Sequence, residues 1–302
     1  MSKTAKWVIG IVIGFGVLFV ISFFLMFFWA LSSAEKEETV SGSGERVAIV
    51  ELKETIIFSE EIVRQLKKYR ENNSIRAIVL RIESPGGGVA ATQEIYEEVK
   101  KTRNSGKPVI VSMGSVAASG AYYVSCGATR IVANPGTLTG SIGVIMQFIN
   151  FDKLMKMIGV DETTVKTGKY KDSGSPFRKL TNEEKKYFSD LINDVHNQFV
   201  DVVATERNVN REQVLKYADG RVFTGKQALK LGLIDTLGTL EDAINIAAEI
   251  GGIKGKPSIV KERKKKNMLD ILFGEEAKTS FKYLFDYLLA EPSLQYKFEF
   301  QN

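Results

Sequence analysis

From residue 47 onward, apolar and polar positions switch repeatedly between a strand rhythm and a helical one, and the switching predicts consecutive β-α units. Residues 47–52 form a short apolar run that reads as a strand. Residues 60–72 place Ile62, Val63, Leu66 and Tyr69 at helical spacing, and 77–82 is a second strand that ends in Glu83-Ser-Pro-Gly-Gly-Gly88. A helix over 89–102, a strand over 108–113, a helix over 117–126 opening near Ser119 and a strand over 130–133 follow. The segments 140–145, 151–158 and 162–166 continue the alternation. Residues 182–207 carry Tyr187, Leu191, Val195, Phe199 and Val202 on one stripe behind Thr181, a good N-cap, and predict a long amphipathic helix. Shorter helices are expected at 211–218 and, capped by Thr224, at 226–231. Strands alternating with helices in this way predict one α/β domain, a layered sheet with helices packed over it.

The ends of the chain follow other patterns. Residues 8–30 are 23 consecutive positions without a charge. At ~1.5 Å per residue they can cross a ~30 Å hydrocarbon core. The stretch exceeds the ~7 to 15 residues of a secretory h-region, so it reads as a retained anchor, although Ser32-Ser33-Ala34 faintly resembles a cleavage site. Lys3 and Lys6 precede it while Glu35, Glu37 and Glu38 follow, which puts the N-terminus in the cytoplasm and everything after the anchor outside. The expected division is 1–31 stub and anchor, 32–45 tether, 46–250 main folded domain, and 251–302 a linker with an amphipathic C-terminal extension. In that extension Phe281, Leu284, Phe285, Leu288 and Leu289 recur at helical spacing, which predicts docking on the chain's own domain, a neighbouring subunit or the membrane surface.

Charge and cysteine content narrow the function further. The net charge of +5 is concentrated in 261–266, with no aromatic residues between the basic ones. That segment reads as a solvated linker with some attraction to acidic lipid, and nucleic acid is not an expected partner. The single cysteine, Cys126, excludes an internal disulfide and reads as a small buried apolar residue.

The chemistry gathers in three glycine- and serine-containing segments. In Gly114-Ser-Val-Ala-Ala-Ser-Gly-Ala-Tyr-Tyr123, small neighbours let a substrate backbone approach the Ser119 hydroxyl, and a helix opening there favours developing negative charge. Ser112, Ser115 and Ser125 flank bulkier or strand-like residues and read as structural. The chain's only histidine, His196, adjoins the stripe of the long helix and reads as a core-edge residue. The base that activates Ser119 is therefore expected to be a lysine. Lys171 and Lys169 in the polar loop 167–176 are the candidates. An ordinary lysine, with a pKa of ~10.4, carries a handicap of ~4.6 kcal/mol as a base at pH 7, and burial must offset it. The glycines of 84–88 follow a strand and precede a helix, so their N–H groups can form an oxyanion hole.

These segments, in this order, resemble the signal peptide peptidase A family of membrane-anchored serine peptidases, which share the ClpP and crotonase-like fold. The likeness covers roughly 45–250 and rests on Ala117-Ala-Ser-Gly-Ala-Tyr-Tyr123, Ser84 to Gly88, and Tyr170-Lys-Asp-Ser-Gly-Ser-Pro176. It implies Ser119 as nucleophile, Lys171 as general base, Ser141 orienting the lysine, and oxyanion donors among the backbone N–H groups of Gly87 and Gly120. It implies peptide substrates, remnant signal peptides in particular, with no metal or cofactor. Ala121 stands where many relatives have a second glycine. The chain carries one copy of the domain where some relatives carry two, so the site is expected to be completed by homo-oligomerisation or within one subunit. A crotonase-type enzyme acting on acyl-CoA and a catalytically silent scaffold are the alternatives, and the anchor and Ser119 argue against the first.

Overall fold

The computed structural model describes residues 7, 14–24, 37–41, 45–262 and 294–298. Its centre is a mixed sheet. Five strands run parallel side by side: β2 (Arg46–Lys53), β3 (Ile75–Ser84), β5 (Val109–Ala118), β6 (Arg130–Ala133) and β9 (Thr236–Leu237). Beyond β2 lie β10 (Ser258–Glu262), parallel to it, and then β1 (Glu37–Ser41), antiparallel to β10. Between β3 and β5 in sequence comes the short β4 (Gly86–Gly88). Near the end of β5, β7 (Leu138–Gly140) pairs with it and carries β8 (Val222–Thr224) on its far edge.

The strands read as near-continuous apolar runs because both faces of the sheet are covered. On one face Ala48, Val50, Leu52, Ile78, Leu80, Ile82, Val109 and Val111 join the larger core, while the alternate residues Val47, Ile49, Ala77, Val79 and Ile110 form the smaller one. The larger core is closed by α1 (Glu60–Glu71), α2 (Val89–Asn104), α3 (Gly120–Cys126) and α5 (Asn182–Glu206), the smaller by α8 (Leu240–Ile250). Each fully buried Leu or Ile contributes ~1.5 to 3 kcal/mol to this arrangement. The start of α5 is fixed by a capping box between Thr181 and Glu184, and α8 begins with the same reciprocal pair at Thr239 and Asp242. Three short helices also pack on the domain: α4 (Asp152–Ile158), α6 (Arg211–Leu215) and α7 (Gly225–Lys230).

Differences from the sequence reading concentrate at its edges. The sheet extends past both expected boundaries of the domain, taking β1 from the tether and β10 from the linker. Ser258, Ile259 and Val260 are buried there. Helix α8 had not been expected, and 162–166 has no regular structure. The anchor stretch is described only at 14–24, which are helical, and the apolar positions 281–289 lie outside the described residues. Among the described residues no helix is long and apolar enough to cross a membrane.

Candidate active site

Strand β5 ends at Ala118 and α3 begins at Gly120, so the single residue Ser119 must turn the chain from strand to helix. It does so at φ 55° and ψ −117°. A non-glycine residue held in such a region costs about 1 to 3 kcal/mol. Its N–H donates to the Gly140 carbonyl at 2.8 Å and its carbonyl accepts from the Tyr123 N–H at 2.9 Å, which pins the turn from both sides. The hydroxyl is buried and has no hydrogen-bond partner among the described residues. An orphaned buried hydroxyl costs a further ~1 to 3 kcal/mol, so one residue bears two penalties that folding alone would not retain. A strained strand-to-helix turn is also the geometry that exposes a serine nucleophile at the end of a strand.

The glycine strand lies beside it. Ile56 holds the outer edge of β4, donating to Gly86 O and accepting from Gly88 N–H, each at 2.8 Å, which turns the Gly87 N–H toward the other side. A Cβ added at Gly120 would lie 3.2 Å from Gly87 N and 2.7 Å from Thr92 Oγ1. One added at Gly86, where φ is +100°, would lie 2.7 Å from Gly120 N. The amides of Gly87 and Gly120 thus sit together, and only glycines allow the approach. Two convergent N–H donors there can stabilise an oxyanion. Ser141 is buried, with φ 50°, directly after the Gly140 whose carbonyl anchors Ser119.

Lys171 stands apart. It is exposed and makes no hydrogen bond to Ser119 within one chain. Its loop is nevertheless well held. Tyr170 stacks on Tyr187 at 5.2 Å, and Arg178 donates to Asp172 and Glu184, at 2.9 Å each. Arg178, then Lys166, holds the Asp172 carboxyl down at about 2, and Arg178 likewise keeps Glu184 well below the usual carboxylate range. Lys169 pairs with Glu183, which raises its ammonium above the ordinary lysine value and makes its neutral form scarcer.

The other sequence candidates behave as packing residues. The half-buried His196 ring meets Ala218 O at 2.8 Å through Nε2. Burial pushes the Cys126 thiol up to about 12. Ser112 accepts from Arg81 and Ser125 donates to Ala121 O. Two site residues had not been expected. Thr92, on α2, brings a second orphaned hydroxyl beside Gly120. Tyr296 brings the C-terminal strand β11 (Gln295–Lys297) onto β4. The signal for β11 was the alternation of Leu294, Tyr296 and Phe298 with Gln295 and Lys297, a strand rhythm only five residues long.

Known proteins resemble this chain in sequence. The sequence profile of peptidase family S49 matches residues 101–254, and that of Clp protease matches 43–137. A Synechocystis chain named as a protease is 44% identical over 195 residues, covering 65% of this chain and 70% of its own. An Enterococcus faecium chain named as a signal peptide peptidase is 36% identical, covering 68% and 65%. Protease 4 of Haemophilus influenzae is 36% identical over 68% of this chain, which spans only 35% of that longer protein. With the buried serine and its paired glycine amides in view, the extent of these matches shows that the chain belongs to peptidase family S49 and is a serine peptidase.

Proposed function

We propose that the protein is a membrane-anchored endopeptidase in which Ser119 attacks the peptide carbonyl, Lys171 takes the serine proton, and the Gly87 and Gly120 amides receive the oxyanion. The observation that carries this reading is the Ser119 hydroxyl, buried, strained and without a partner beside two glycine amides. The neutral amine accepts the hydroxyl proton as the Ser119 Oγ–carbonyl bond forms, then returns it to the leaving amine as the peptide C–N bond breaks. Water, deprotonated by the same amine, hydrolyses the acyl-enzyme.

In this reading Lys171 reaches Ser119 from a second copy of the chain. The segment that carries it supports this, because it leaves large apolar side chains uncovered, with Met157 83% and Val165 95% exposed. A neighbour covering that surface removes water from around the amine, as a lysine base requires. Stretch 8–30 would hold the assembly on the outer face of the membrane, near apolar peptides such as remnant signal peptides. The name of the Enterococcus relative supports that substrate class.

A fluorophosphonate probe tests the nucleophile directly. It labels the wild-type chain once, at Ser119, and leaves Ser119→Ala unlabelled. Undiminished labelling of Ser119→Ala removes the assignment.

A further inference from the structure

Strand β5 does not run straight to Ser119. Its pairing with β3 holds Ile82 opposite Met113, and when pairing resumes Ser84 stands opposite Ala117. Between those points one residue of β3, Glu83, faces three of β5, Gly114, Ser115 and Val116. The other neighbour of β5 changes at the same bulge: Met113 still pairs with Ala133 of β6, and from Val116 onward the partner is β7. A bulge re-aims the chain beyond it, and here that chain is Ala117, Ala118 and Ser119.

The Glu83 side chain fills the bulge. Its Oε1 accepts from the Ser115 N–H at 2.9 Å and the Val116 N–H at 3.1 Å, and its Oε2 accepts from Ser115 at 2.9 Å. Bonds from a backbone amide to a carboxylate are about twice as strong as neutral ones. Room for the carboxylate exists because residue 114 is glycine: a Cβ there would lie 1.7 Å from Oε2. The carbonyls of the bulge are held as well, Met113 O by Arg81 at 3.2 Å and Gly114 O by the Thr137 hydroxyl at 2.6 Å. Directly after Glu83 comes the glycine segment 84–88, and a Cβ on Gly86 would lie 3.1 Å from Ala118 O and 2.7 Å from Gly120 N. One carboxylate therefore stands at the root of both segments that meet in the site.

We infer that Glu83 is a positioning residue for the peptidase: by holding the bulge at 114–116 it sets the register at which Ser119 meets the Gly87 and Gly120 amides. The inference rests on the assignment of Ser119 and those amides above and deepens it. Glu83 is half-buried and Ser115 exposed, so water can take the place of a missing acceptor and the fold survives. The register is then loose, and a displacement of about 1 Å at the reacting atoms costs up to about 100-fold in rate. Strand β4 is held separately by Ile56, so substrate affinity changes little.

The test measures kcat and KM separately, on one peptide, for the full-length chain in detergent and for Glu83→Ala and Glu83→Gln. Glu83→Ala should lower kcat by about 10- to 100-fold at nearly constant KM, and slow fluorophosphonate labelling of Ser119 to a similar degree. Because Oε1 alone reaches both amides, the glutamine carbonyl can replace it, and Glu83→Gln should restore most of kcat. A glutamine variant as slow as alanine, an alanine variant with full kcat, or a change in KM alone overturns the role while leaving the peptidase reading intact. As an independent measurement, Gly114→Ala drives a methyl into the carboxylate and should lower kcat as Glu83→Ala does, with the double variant no slower than either single one. Full kcat in Gly114→Ala, or losses that multiply in the double variant, contradict the inference. Should Glu83→Ala not fold, Gly114→Ala and Glu83→Gln decide by themselves. If the wild-type chain cuts no faster than Ser119→Ala, the catalytic assignment falls and the positioning role with it.

Discussion

At Ser119 the chain accepts a left-handed backbone and an unbonded buried hydroxyl in the same residue, and both penalties make sense only if the hydroxyl has work to do on another molecule. Gly120 completes the argument from the other side. The Gly120→Ala change would place a methyl 2.7 Å from Thr92 Oγ1 and 3.1 Å from the carbonyl position held by Tyr296. It should lower kcat by about 100- to 1000-fold, the usual cost of a lost oxyanion donor. Circular dichroism and thermal melting establish whether the fold survives, and full activity in a folded variant would remove Gly120 from the oxyanion site. Ser119 could be found in the sequence because its small neighbours advertise close backbone approach. The strain at Ser119 and Ser141 could not, since positive φ at a serine leaves no composition signal. The choice of Lys171 over Lys169 rests on family resemblance, and Lys169 is paired with Glu183.

Among the elements, the helix–strand succession from β2 to α3 was readable because apolar periodicity dominates wherever both faces of a sheet are covered. Edge pieces were harder. Strands β1 and β10 are short and border charged stretches, and their place in the sheet comes from pairing, with only Ile259 and Val260 of β10 adding an apolar signal. The loop that carries Lys171 is polar throughout, and its order comes from Arg178 bridging Asp172 and Glu184 at the start of α5. That dependence gives a pH prediction. Folding depresses the Asp172 pKa from the ordinary 3.8 to about 2, so its contribution to stability is present above pH ~4 and is lost as pH falls through about 2. Amide exchange in residues 166–181, corrected for its intrinsic pH dependence, should lose protection over that window, before the strands of the sheet do. Arg178→Ala should move the loss to higher pH. Protection that is flat across the window, or identical in the variant, would show that the network does not hold the loop.

At the scale of the whole molecule, one chain brings Ser119 beside the Gly87 and Gly120 amides, the proposed nucleophile and oxyanion donors, and leaves Lys171, the proposed base, on an exposed loop flanked by uncovered apolar surface. A second copy is the simplest supplier of the missing amine, where the single copy of the domain in the sequence leaves both assembly and completion within one subunit open. The proposed Ser119–Lys171 pair therefore forms between chains. Its most direct test mixes Ser119→Ala with Lys171→Met, each inactive alone, under conditions that let subunits exchange. Random mixing pairs an intact serine with a neighbour's intact lysine at about a quarter of the sites. Peptidase activity should return to that fraction of wild type. An exchanged mixture as inactive as its parents, or a Lys171→Met chain active by itself, would contradict it.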